Sequence, residues 1–164
     1  MAGFRERLHF DSGTGAYLDG DIRYMLIRPD ALMGLFQRLS NEARAEAFAA
    51  IADSITERGR HSASTYVAPE EIDRLLHVIA DSAPQLGWGI WVFEHPDSDM
   101  IKLEVRNSPF AHAAGDLPPP VCFPIVGMLR AVGAMVLGGP VVVSEDACAA
   151  GGGEEVCRFA IRRE

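Results

Sequence analysis

A chain of 164 residues and 17.8 kDa is the size of one domain that buries a core without disulfide staples, and it is too short to make two independent domains a reasonable expectation. Hydrophobic residues make up 48%, charged residues 23%, and mean hydropathy is +0.07, which excludes a disordered or fibrous protein. The 15 Lys and Arg against 23 Asp and Glu leave a net charge of −8, and the basic residues do not cluster, so direct nucleic-acid binding is excluded as well.

Residues 5–11 and 21–27 flank a stretch holding Gly13, Gly15 and Gly20, a pattern that predicts two strands joined by a turn. Pro29, followed by Leu32, Leu35, Phe36 and Leu39 at three- and four-residue spacing, predicts a short helix. Ser40 and Asn41 are N-caps for an Ala-rich helix with Phe48, Ile51, Ala52 and Ile55 on one face, which Gly59 is expected to end. A further helix begins at Pro69, Glu70 and Glu71, buries Ile72, Leu75, Leu76, Ile79 and Ala83, and stops near Pro84.

Residues 87–94 read as an aromatic strand and 100–107 as its alternating partner, with Ile101, Leu103 and Val105 inward and residues 95–98 as the connection. Alternation sets Trp88, Ile90 and Val92 on one face of the first strand and Trp91 and Phe93 on the other, beside Gly87 and Gly89. Both faces are apolar, which fits two packed layers or one face lining an apolar pocket. Residues 108–120 form a long loop, expected to cover something or to move. A last helix opens at Cys122 and runs to Gly138 and Gly139, before strands at 141–143 and 156–161 around a loop at 149–155. The order of elements predicts an α+β domain over residues 1–164, a mostly antiparallel sheet with helices packed on one side.

The three cysteines, Cys122, Cys148 and Cys157, lie in the carboxyl-terminal part of the chain, and Glu145 stands three positions before Cys148. Cys122 falls at a helix N-terminus, where unpaired N–H groups and the dipole favour a thiolate. Three thiolates and a carboxylate suit a tetrahedral zinc, although the spacing contains no C-x-x-C pair, and three small buried hydrophobic residues are the other reading. No run reaches the roughly 18 apolar residues of a membrane span, and the amino end lacks the pattern of a signal peptide. The expectation is a cytoplasmic protein with free thiols. No phosphate loop, dinucleotide turn or G-x-S-x-G elbow is present, and His9, His61, His95 and His112 share no ligand spacing.

Residues 120–163 resemble the carboxyl-terminal signature of the 4-vinyl reductase domain family. That signature is a Cys opening a Gly-containing helix, a strand ending in E-x-x-C, a Gly-bearing loop and C-x-[FV]-x-[IV]. It is matched here by Cys122, Gly127, Glu145 with Cys148, Gly151, and Cys157 through Phe159 and Ile161. The rest of the chain is similar in its order of elements and in GWGIW ahead of the long loop. The family includes sensor domains of bacterial activators that respond to phenols and xylenes, a bacteriochlorophyll-synthesis protein and archaeal hydrocarbon-binding proteins, and small subunits of the TRAPP tethering complex share the fold.

The resemblance implies a structural zinc held by Cys122, Glu145, Cys148 and Cys157 as a staple over residues 122–161, and a homodimer. It also implies a small hydrophobic or aromatic ligand in a pocket that includes Trp91 and His77, with Phe93 on the same strand face as Trp91. His77 lies about 140° around its helix from Ile72, away from the apolar stripe. Where the phenol sensors carry an aromatic residue two before the Glu, this chain has Val143, which suits a larger or wholly apolar ligand. The leading function is a ligand-binding or sensing module. The alternatives are a tetrapyrrole 4-vinyl reductase or its accessory, for which no NAD, flavin or iron–sulfur pattern is seen, and an assembly scaffold.

Overall fold

The computed structural model describes residues 3–66, 72 and 74–164, with the backbone alone at 64–66 and 96. In chain order these form α1 (Phe4–Arg7), β1 (His9–Asp11), β2 (Ala16–Asp19), β3 (Ile22–Tyr24), α2 (Pro29–Gln37), α3 (Asn41–Tyr66) and α4 (Leu75–Ser82). There follow β4 (Ile90–Asp97), β5 (Met100–Arg106), α5 (Pro109–His112), α6 (Phe123–Val136), β6 (Val141–Ala147) and β7 (Val156–Arg163). The α+β class is as expected, but the strands divide into two antiparallel sheets, β1-β2-β3 and β4-β5-β7-β6. The amino-terminal sheet has a strand more than expected, because the glycines sit at corners rather than forming one long turn. Asp11 closes the first corner by accepting the Gly13 N–H at 2.8 Å. Gly15 (φ +66°) and Gly20 (φ +59°) lie on either side of β2 in the left-handed region.

The four-stranded sheet has one covered and one solvated face, as its alternation dictates. Cross-strand register aligns Trp91 with Val105 and Cys157, Phe93 with Leu103 and Phe159, and Ile101 with Ile161 and Val143. Those rows face the helices, and on the other face Lys102, Arg106, Arg158 and Arg162 meet water. Strand β4 starts at Ile90, later than expected, because Gly87 (φ +79°) and Gly89 (φ +88°) hold non-strand backbone. A Cβ at Gly89 would lie 2.5 Å from the Arg106 carbonyl oxygen, so only glycine permits that approach. Trp88 therefore leaves the alternation and joins neither strand face.

Helix α6 is apolar on nearly every side and lies between α3 and the sheet, burying Ile125, Val126, Leu129 and Val132. Two glycines set its distances. A Cβ at Gly127 would meet the Ala52 carbonyl oxygen of α3 at 2.4 Å, and one at Gly133 would meet Ile161 Cγ2 of β7 at 2.6 Å. The Thr56 hydroxyl donates within α3 to the Ala52 carbonyl at 2.8 Å and lies 3.0 Å from the Gly127 carbonyl, at the same crossing.

Helix α3 continues to Tyr66 instead of ending at Gly59. Gly59 faces α6, where a Cβ would stand 3.3 Å from Ala131 Cβ, so this glycine serves a close helix crossing and not a stop. On α2 the buried residues are Met33, Gly34 and Phe36, whereas Leu35, expected inward, is 55% exposed. Of the helix predicted from Pro69, residues 69–71 and 73 lie outside the described residues; from Leu75 onward the helix is present and buries Leu75. The loop at 108–120 contains α5, started by the Ser108 side chain accepting the Ala111 N–H, with Pro109 in its first turn. No helix among the described residues is long and apolar enough to cross a membrane.

Candidate metal cluster and apolar cavity

The four residues of the E-x-x-C signature set come together. One ligand atom from each of Cys122, Glu145, Cys148 and Cys157 lies within 4.8 Å of every other, an arrangement that could bind a metal ion. Cys122 stands at the N-cap of α6, Cys157 near the start of β7 facing inward, and Glu145 near the end of β6. Residues three apart on a strand point to opposite faces, so E-x-x-C would normally separate its two ligands. The register shift between Glu145 and Ala147 inserts a residue into β6, and the chain leaves the strand at Cys148, which turns both side chains to the same side.

All three thiols are buried. Cys122 Sγ and Cys157 Sγ are 3.6 Å apart, close to the edge of about 3.8 Å that bonds of about 2.3 Å give a tetrahedron of thiolates. Glu145 Oε2 accepts the Cys122 N–H at 3.0 Å, while its Oε1 is buried with no hydrogen-bond partner. An orphaned carboxylate oxygen inside a ring of sulfurs costs about 1–3 kcal/mol unless a cation or proton meets it, so the donor set fits a metal.

Without a metal the cluster shares its protons unevenly. Burial, with Cys148 beside it, pushes Glu145 up to about 8. Cys122 is pushed up because it donates to the Cys148 and Cys157 sulfurs and is buried. Cys157, accepting from Cys122, Cys148 and the Ala149 N–H, is pulled down to about 4. Around the cluster the Ala149 N–H donates to Cys157 Sγ and the Ser108 hydroxyl contacts Cys122 Sγ, each at 3.3 Å. Ser108 was not singled out from the sequence, although Ser followed by Pro is a helix-start signal.

A cavity of about 530 Å³ opens between the amino-terminal sheet, α3 and the end of α4. Its walls are mainly apolar and include Phe4, Tyr24, Leu32, Trp88, Phe110 and Met128. The continuation of α3 past Gly59 forms one wall, since Ile55, Arg58, Gly59, Ser62 and Ala63 follow the three- and four-residue spacing of a single helix face.

Trp88 stands edge-on to Phe110 at 5.3 Å and lines this cavity. Trp91 lies in the core behind it, 4% exposed, its indole N–H donating to the Trp88 carbonyl at 3.0 Å, and Phe93 packs half-buried against Trp91 at 6.0 Å. His77 is exposed, roughly 160° around α4 from Ile79, which lines the cavity. Neither Trp91, Phe93 nor His77 is among the lining residues of this cavity. Trp88 and the amino-terminal lining escape sequence reasoning because they meet only in the folded chain; the signal available was the pair of glycines flanking Trp88.

Known proteins share this architecture. No family model matches the sequence, and no curated protein matches it. Among solved structures, the phenol-responsive sensory domain of the transcription activator PoxR, with phenol, has a TM-score of 0.77 at 18% identity, covering 97% of this chain and 86% of that one. A trafficking protein particle complex subunit 3 from Naegleria fowleri, covalently bound to palmitic acid, has a TM-score of 0.58 at 13% identity, covering 83% and 95%. A vinyl-4-reductase family protein from Methanocaldococcus jannaschii has a TM-score of 0.53 at 14% identity, covering 86% and 98%. The chain has the α+β fold of these three proteins.

Proposed function

We propose that residues 1–164 act as one small-molecule binding or sensing domain that takes an apolar or aromatic ligand into the cavity and is stapled by a structural zinc on Cys122, Glu145, Cys148 and Cys157. The observation that carries the reading is the 530 Å³ cavity with aromatic walls, within the usual size of small-molecule sites. The fold shared with a domain described with phenol supports it. Four protein ligands leave a zinc no open position, so its role is to tie the N-terminus of α6 to the β6–β7 pair. Free thiols for such a site suit a reducing compartment, the cytoplasm.

Binding tests the reading directly. A panel of alkylbenzenes, naphthalenes and phenols should include a compound that raises the melting temperature, by about 2.7 kcal/mol of stability at about a hundredfold excess over its Kd, and that changes tryptophan emission. Trp88→Ala should abolish the emission change. Trp91, buried behind Trp88 and outside the lining, belongs to the core, and Trp91→Ala should lower stability more than ligand response. No thermal or emission response from any compound would turn the reading to an assembly protein, and turnover of a vinyl tetrapyrrole with added reductant would turn it to an enzyme.

The domain is further proposed to form a homodimer. Phe36 and Phe48, on the apolar faces of α2 and α3, are buried against each other at 4.5 Å and leave no surface there for a partner. The support comes instead from Met25 and Leu26, 76% and 80% exposed at the mouth of the cavity on the segment between β3 and α2, where Ile27 also lines it, so that a second copy would pack at the cavity's edge. Light scattering at high micromolar concentration should give twice the chain mass, and a monomer mass would overturn this.

A further inference from the structure

Resting on the cavity as the ligand site, we infer that its ligand is an organic anion with a long apolar body, whose carboxylate is anchored by Arg58 at the rim. The chain carries 23 acidic against 15 basic residues, yet the charged side chains on the described lining are Arg7 and Arg58, with no carboxylate among them. The two arginines are differently placed. Arg7 is held by Asp19, with Nε 3.3 Å from both carboxylate oxygens and Nη2 3.2 Å from Oδ2, and Asp19 is itself buried. That pair is locked into the wall.

Arg58 projects from the cavity face of α3 with its side chain 81% exposed, and its ion pair is a 3.5 Å contact to the exposed carboxylate of its neighbour Glu57. Such a contact contributes little and yields readily to a better-placed partner. An exposed arginine at the rim of an apolar cavity presents a planar fork to a carboxylate at the end of a ligand lying below it. Two neutral polar groups of the lining are already engaged: the Gln85 amide accepts from the Arg5 N–H and donates to the Asp81 carbonyl, and the Ser62 hydroxyl donates to the Arg58 carbonyl. The volume leaves room for a body larger than one ring, such as an alkyl chain. At the roughly 30 Å³ that a water occupies in the liquid, the cavity's 530 Å³ corresponds to about eighteen waters, far more than one substituted ring replaces.

The test compares dodecanoate with 1-dodecanol, equal in chain length and different in charge, by tryptophan emission at low micromolar concentration. Dodecanoate should bind about two- to fivefold tighter, the size of an exposed ion pair, and raising the salt should narrow the gap. Arg58→Gln, which removes the charge at an exposed position, should weaken dodecanoate to about the affinity of dodecanol, with a smaller change for dodecanol itself, and so remove the preference. Equal binding of acid and alcohol, or a preference that survives Arg58→Gln, overturns the inference while the apolar-ligand reading stands. Failure of both compounds to bind in a protein that responds to the neutral aromatic panel overturns the inference alone, and failure of both with a silent panel overturns the cavity reading as well.

Discussion

Cys157→Ala is expected to lose the metal and to lower the melting temperature by about 10 °C or more. Cys157 sits on β7 opposite Val105, is fully buried, and through the cluster joins β7 to the N-cap of α6 and the end of β6. Structural zinc on several thiolates contributes directly to folding free energy, and a loss of about 4 kcal/mol corresponds to about 8–16 °C in a domain of this size. A chelator should shift wild-type melting by a similar amount and leave Cys157→Ala almost unmoved. Glu145→Ala should weaken metal binding with a smaller loss of stability, because water can replace one carboxylate and the variant also removes the orphaned Oε1. The metal should bind more tightly as pH rises. The metal-free cluster holds Cys122 protonated, and Glu145 up to about pH 8, so binding expels protons. Elemental analysis showing no zinc in freshly purified protein, together with unchanged melting of Cys157→Ala, would remove the metal from the account.

Gly127→Ala is expected to destabilise by about 2 kcal/mol although alanine is the better helix former. The methyl group would enter 2.4 Å from the Ala52 carbonyl oxygen and 3.0 Å from both Ala52 Cα and Ile55 Cβ. The first two are helix backbone, so α3 would have to move as a body and break the shared Thr56 contacts at the crossing. Helix propensity returns about 1 kcal/mol, and overpacking against an element that cannot yield costs about 1–3 kcal/mol or more, so the clash wins. Gly59→Ala supplies the contrast on the facing helix, because its methyl would meet the Ala131 methyl at 3.3 Å and the flexible Met128 sulfur at 3.5 Å. It should be near neutral. Gly139→Ala, with open space around its Cβ, should change stability by less than about 0.5 kcal/mol. Thermal melts of the three variants decide the matter, and a Gly127→Ala protein as stable as wild type would mean that α3 and α6 cross less closely than described.

The α+β class, the inward row Ile101, Leu103 and Val105, and the Cys and Glu residues of the cluster were legible in the sequence because each rests on local chemistry: alternation, capping and a short signature. The convergence of Glu145 and Cys148 was decided by the irregular register of β6 against β7, which no local pattern announces. The glycines carried two opposite meanings that sequence cannot separate. Gly15 and Gly20 turn the chain at the corners of β2, whereas Gly59 and Gly127 clear space between helices, and only the neighbour packed against each one tells which. Because Gly59 does not stop α3, Ser62 and Ala63 reach the cavity, and because Gly87 and Gly89 release Trp88 from β4, its ring faces that cavity beside Phe110. Composition and periodicity thus determined which residues are apolar and which could ligate a metal. Only tertiary packing decided which apolar residues fill the core and which enclose space, because a cavity wall and a core differ solely in what lies on the far side.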